Sequence, residues 1–176
     1  MAETIFPFQV VFLTQHYSIE GRLYLHEQRL SDFLNDRRDR SILMRNTSVA
    51  RLEQPAKILG KTNTSIIPKA GILLAFEPPQ KTNPLSRFIK YPKQKYDVFL
   101  VLDGMEVHGK LNQPGSLDLR SAITNLSESF LPITQATVTL DAAPTFSIQR
   151  ETVLVNVQHI RYLGDMEVET PPEEMP

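Results

Sequence analysis

The chain contains no cysteine and no tryptophan among its 176 residues, and only seven glycines. Without cysteine there is no disulfide, no thiolate nucleophile and no Cys-type zinc site. Seven scattered glycines form neither a P-loop nor a dinucleotide fingerprint, both of which need clustered glycine to cradle phosphates. No apolar run approaches the roughly 20 residues of a membrane-spanning helix. The first residues, Met1-Ala-Glu-Thr-Ile-Phe-Pro, have neither a basic nor an apolar stretch, so no secretory signal is read there. The expectation is a soluble, cytoplasmic protein without a cofactor.

Catalytic signatures are equally scarce. Ser31-Asp32 stands in no G-x-S-x-G elbow and has no histidine fixed beside it. It reads better as the first turn of a helix, with a carboxylate near the positive dipole end. The four histidines, His16, His26, His108 and His159, show no HxH or HxxxH spacing. No catalytic residue, metal ligand or small-molecule site is assigned, and an enzyme is not expected.

What the chain does have is internal similarity. Ile19-Glu20-Gly21-Arg22-Leu23 recurs 88 positions later as Val107-His108-Gly109-Lys110-Leu111. Ser41-Ile42-Leu43 recurs at that offset as Ser129-Phe130-Leu131, while Leu30, Phe33 and Leu34 match Leu119, Ala122 and Ile123 at 89. Each copy holds about half the residues, which is marginal for a core, so the copies should pack on each other.

Period-two alternation predicts strands over 8–14, 18–25, 42–52, 96–102, 105–111 and 130–140. Asp103-Gly104 is a hairpin turn signal. The matched mid-strand Gly21 and Gly109 suggest a bulge or a close backbone approach. Leu30, Phe33 and Leu34 form one apolar helical stripe, and Leu119, Ala122, Ile123 and Leu126 another, with Asp118 or Ser116 as cap. Pro55 with Gly60, and Pro144, are read as loops. The runs 66–76 and 152–163 close the copies, and the last strand of each is long enough to bend in two. In the second run the face of Val153, Val155 and Val157 is read as core. The expected fold is mainly β with a minor α component. Two pseudo-symmetric β-β-α-β-β copies would form small antiparallel barrels or a sandwich, each with one short helix. The expected divisions are a first copy at 1–77, a basic Pro-rich linker at 78–95, a second copy at 96–163 and an acidic, disordered tail at 164–176.

Charge follows those divisions. The linker's Lys81, Arg87, Lys90, Lys93 and Lys95 give +5, and the tail's Asp165, Glu167, Glu169, Glu173 and Glu174 give −5. Around these arms the copies are nearly neutral.

Arg29-Leu30-Ser31-Asp32-Phe33-Leu34-Asn35 resembles the R-L-S-D-x-L-N signature of an uncharacterised bacterial domain family. In that family a glycine-containing strand precedes the signature. Strands like Phe130–Val138 and Val155–Ile160 follow it. The chain resembles two diverged copies of that unit across residues 8–163. The family transfers no catalytic role. A weaker similarity is to Sm-like small β-barrels, which implies RNA binding or ring assembly by fold-level analogy.

The leading expectation is a non-enzymatic binding or assembly protein, a scaffold or accessory subunit acting through protein–protein contacts or self-association. Linker and tail would be its interaction arms. The alternative is an RNA or single-stranded DNA-binding module. There Lys81, Arg87, Phe88, Lys90, Tyr91, Lys93 and Lys95 interleave cations with aromatics, as a phosphate-tracking, base-stacking segment does.

Overall fold

The computed structural model describes residues 7–25, 28–79, 93–124 and 129–166. It is mainly β, with ten strands and two short helices. The first part runs β1 (Pro7–Leu13), β2 (Tyr17–Tyr24), α1 (Leu30–Asn35), β3 (Ser41–Arg51), β4 (Gln54–Pro68), a 3-10 turn (Lys69–Gly71) and β5 (Leu74–Phe76). The second runs β6 (Gln94–Leu102), β7 (Met105–Gln113), α2 (Leu119–Thr124), β8 (Phe130–Leu140), β9 (Ala143–Asn156), a 3-10 turn (Val157–His159) and β10 (Ile160–Asp165). Gln94 and Lys95, read as linker, are the first residues of β6. Gly164 and Asp165, read as tail, complete β10, and the Met166 amide donates to the Asp97 carbonyl at 2.9 Å.

Local chemistry explains most of these elements. The β6–β7 hairpin turns at Asp103-Gly104, where Gly104 takes φ +80°, a left-handed conformation that glycine adopts at little cost. Asp118 caps α2, accepting from the Ser121 amide at 2.9 Å and the Ser121 hydroxyl at 2.6 Å. Asp32 occupies the first turn of α1, and Leu30 and Leu34 are buried beneath it.

Pro55, Gly60 and Pro144 are not in loops. They lie within β4 and β9. Outer β4, Gln54–Thr64, is exposed throughout, and Ala143–Glu151 of β9 is largely so. Such segments need no apolar alternation, and an edge strand tolerates proline. The closing runs do bend, each at a 3-10 turn, so 66–76 ends β4 and supplies β5, and 152–163 ends β9 and begins β10.

Gly21 and Gly109 sit opposite bulges. Between the pairs Glu20↔Ser48 and Arg22↔Arg45, one residue of β2 faces Asn46 and Thr47 of β3. Between His108↔Thr137 and Lys110↔Thr134, Gly109 faces Gln135 and Ala136. Asn46 and Gln135 both take left-handed backbone, with φ of 47° and 48°. The bulged strand crowds Gly109 with its backbone, whereas the nearest neighbour of Gly21 is the end of the Met44 side chain.

All strand pairs are antiparallel, and the sheet order is β10-β6-β7-β8-β9-β5-β1-β2-β3-β4. This is one open sheet, neither a pair of closed barrels nor a two-sheet sandwich. The physical reason is β5, which pairs with β1 on one side and β9 on the other. That short strand fuses the strands of both parts into one ladder.

The core has two clusters. One gathers Val98, Leu100, Val107, Ile133, Val138 and Val153 with Leu13, Leu52, Leu74 and Phe76 from the first part. The other gathers Val10, Phe12, Leu23, Leu34, Ile42 and Met44 with Phe130 and Leu154 from the second. Each cluster borrows side chains across the β5·β9 seam.

Candidate interaction site at the sheet edges

The seam shows how this chain joins one edge to another. Leu74 pairs with Val155 and Ala75 with Leu154. Alternation sends Leu74 and Val155 into one cluster, and Ala75 and Leu154 into the other. Both faces of these strands are buried, so Val153–Asn156 is a continuous buried run with no exposed face. The expected Val face is core, and so is the face opposite it.

Two asparagines fasten the seam. The buried Asn156 amide donates from Nδ2 to the carbonyls of Ile72 at 2.8 Å and Lys69 at 3.3 Å. Its Oδ1 accepts from the Gln158 amide at 3.1 Å, and its own backbone N–H donates to the Leu73 carbonyl at 2.9 Å. Asn35, the last residue of the R-L-S-D-x-L-N signature, reaches from α1 to the start of β8. Its Oδ1 accepts from the amides of Ser129 and Phe130, both at 2.8 Å, and its Nδ2 donates to the Phe130 carbonyl at 3.2 Å. The sequence reads Asn35-Asp36 as the end of the first helix, which is where α1 stops, but gives neither asparagine a part in joining the two halves.

Lys69 supports the same region. Its ammonium donates to the carbonyls of Asp36 at 2.7 Å and Phe33 at 3.0 Å, 5.4 Å from the Phe33 ring centroid. Burial pushes its pKa below the usual lysine value, against the opposing pull of Asp36 and Asp39. The exposed Arg38 side chain, bonded to Asp36, lowers that carboxyl to about 2. Near β5, burial and then Glu151 raise the Glu77 carboxyl, and burial lowers Arg150, which stands 4.9 Å from the Phe76 ring centroid.

Among the described residues, no further strand pairs with the corresponding positions at the two ends of the sheet. β4 forms one end and β10 the other. Ile66 is 68% exposed and lies beside Leu43, its partner in β3 and also exposed. At the far end Tyr162 is 56% exposed. Its ring lies 6.1 Å from Phe99, which stacks on His108 at 4.5 Å, making an outward aromatic row across β10, β6 and β7.

The sequence-predicted contact residues are only partly placed. Lys93 is exposed just before β6, and Lys95 is exposed within it, paired with Asn112. Lys81, Arg87, Phe88, Lys90 and Tyr91 lie outside the described residues. Among the described residues there is no group of three or more His, Asp or Glu that could hold a metal ion, and no helix long and apolar enough to cross a membrane. Neither a family model, nor a curated protein, nor a solved structure matches this chain.

Proposed function

We propose that this is a non-enzymatic binding and assembly protein, a scaffold or accessory subunit working through protein–protein contacts. Its two parts are pseudo-symmetric copies of one β-β-α-β-β unit. The recurring element order and the paired glycine bulges support the duplication. The observation that carries the functional reading is the pair of sheet ends, β4 and β10, which no further strand covers among the described residues and which carry exposed apolar side chains. A soluble monomer blunts its edges with proline, lysine or a covering segment. Outer β4 has Pro55, Lys57 and Lys61, but its inner end presents Ile66.

The basic linker and acidic tail act as opposite-sign arms, drawing partner surfaces together with a salt-dependent attraction. Sedimentation velocity of the intact chain and of a chain ending at Met166, at low and high salt, tests this. The expected result is association at low salt that weakens with salt and with loss of the tail. If neither change alters mass or shape, the arms do not work this way.

One observation favours a second reading, RNA or single-stranded DNA binding. Lys95 and Phe99 share the outward face of β6, with His108 and Tyr162 alongside Phe99. Cations beside a stacking row suit a single strand. Fluorescence anisotropy with a labelled oligonucleotide at low salt decides, using the chain ending at Met166. No binding there ends this reading.

A further inference from the structure

The seam inside the chain is a template for a contact between chains. The pairs Leu13↔Leu74 and Val101↔Tyr162 have the same place in their respective strand pairs, so Tyr162 corresponds to Leu74 and Leu163 to Ala75. Aligned at the paired bulges, where Asn46 matches Gln135, Ile42 matches Leu131 and not Phe130 as the sequence repeat implied. The pairs Ile42↔Ile67 and Leu131↔Val155 then make Ile67 correspond to Val155, and hence Ile66 to Leu154. Leu154 is 5% exposed and Ile66 is 68% exposed. β5 pairs beside Leu154, which sits in a core cluster, whereas among the described residues no strand pairs with β4 on the open side of Ile66. The end at β10 thus matches what covers the seam's β9, and the end at β4 matches what β5 receives.

We propose that this chain assembles head to tail by strand addition, β10 of one molecule pairing antiparallel with β4 of the next, Leu163 opposite Ile66 and Tyr162 opposite Ile67. The proposal rests on reading the protein as an assembly module and names its partner as a second copy. Charge favours that partner. The β3–β4 hairpin, residues 41–68, holds four Lys/Arg and one Asp/Glu, net +3. Residues 160–176 hold one Lys/Arg and five Asp/Glu, net −4. The sequence that follows β10 is thus opposite in sign to the β3–β4 hairpin. Joining different surfaces of identical molecules gives a heterologous contact, which closes into a ring or grows as a filament.

The contact between chains is weaker than the seam. Pro68 stands where the seam has Asn156, so it has neither the N–H that meets the Leu73 carbonyl nor the side-chain amide. At the position of Asn35, α2 has Thr124. Intermolecular pairing consequently dissociates on dilution while the seam holds.

The absence of cysteine makes the test clean. Directly opposed residues in an antiparallel pair have Cα atoms about 4.5–5.5 Å apart, within reach of a disulfide. Ile66→Cys and Leu163→Cys are made singly, mixed and mildly oxidised. The expected product is a cross-linked pair formed in the mixture and not by either variant alone, and a ladder or ring from the double variant. Leu59→Cys, exposed on the same strand, should not cross-link to Leu163→Cys. Ile66→Lys, with an unchanged circular dichroism spectrum, should weaken self-association at least tenfold. Three results overturn the proposal: cross-linking of the Leu59 variant as efficient as that of Ile66, a symmetric Ile66→Cys dimer, or no cross-link. If salt-dependent association persists in sedimentation without the cross-link, the assembly reading stands and this register is wrong. If both are absent, both fall.

Discussion

Gly21 and Gly109 occupy matching sites but are held by different neighbours. A Cβ on Gly109 would meet the Ile133 methyl at 2.5 Å and the Thr134 carbonyl oxygen at 2.9 Å. That oxygen belongs to the β7·β8 ladder and cannot retreat without disturbing it. A Cβ on Gly21 would meet the Met44 terminal methyl at 2.9 Å, which can swing away, and the Arg45 oxygen at a looser 3.2 Å. Gly109→Ala should therefore cost about 2–3 kcal/mol and Gly21→Ala about 1 kcal/mol. Urea unfolding of both variants checks this. Equal costs would place the requirement in backbone conformation and not in space. The glycines were legible in the sequence because they recur in the same strand context. Their partners were half legible: asparagine accepts a left-handed backbone readily, so Asn46 fits its bulge, whereas Gln135 carries no such signal.

At the scale of elements, hairpins and helices could be read because their signals are local. Asp103-Gly104 marked one turn, and the stripes of Leu30, Phe33 and Leu34 and of Leu119, Ala122, Ile123 and Leu126 marked the helices, although Ile123 is exposed and Leu126 lies outside the described residues. The seam could not be read, because its two strands bury both faces and its fasteners bond to backbone far away in sequence. Asn156 and Ile72 are 84 residues apart, and Asn35 and Phe130 are 95 apart. Asn156→Ala would leave the buried Ile72 carbonyl without its partner and the half-buried Gln158 amide without its acceptor. An unsatisfied buried group costs about 1–3 kcal/mol, so a loss of roughly 2–3 kcal/mol is expected in denaturant unfolding. Amide exchange at Leu74 and Ala75 should quicken as well. A change within about 0.5 kcal/mol, the usual size of a surface substitution, would mean the asparagine does not fasten the seam. The candidate edges were invisible for a related reason. Whether Ile66 or Leu154 is covered depends on which strand arrives beside it, and both read as ordinary apolar residues.

For the whole molecule, the shared clusters decide how it unfolds. Phe130 and Leu154 complete the first part's core, and Leu13, Leu52, Leu74 and Phe76 contribute to the second's. A domain of some 75 residues is marginal on its own surface-to-volume ratio, and here each would lose buried side chains if its neighbour left. The two parts are consequently expected to unfold together. In calorimetry on the intact chain this means one transition, with an enthalpy on the order of 100 kcal/mol near 60 °C and a matching van't Hoff value. Two independent parts would instead give a van't Hoff enthalpy near half the calorimetric one. Leu74→Ala separates the cases further. Leu74 is fully buried in the cluster that serves mainly the second part, yet it belongs to β5 of the first. Its truncation should cost roughly 2–5 kcal/mol and lower the single transition as a unit. A second, unshifted transition emerging beside it would show that the seam joins two bodies that fold separately.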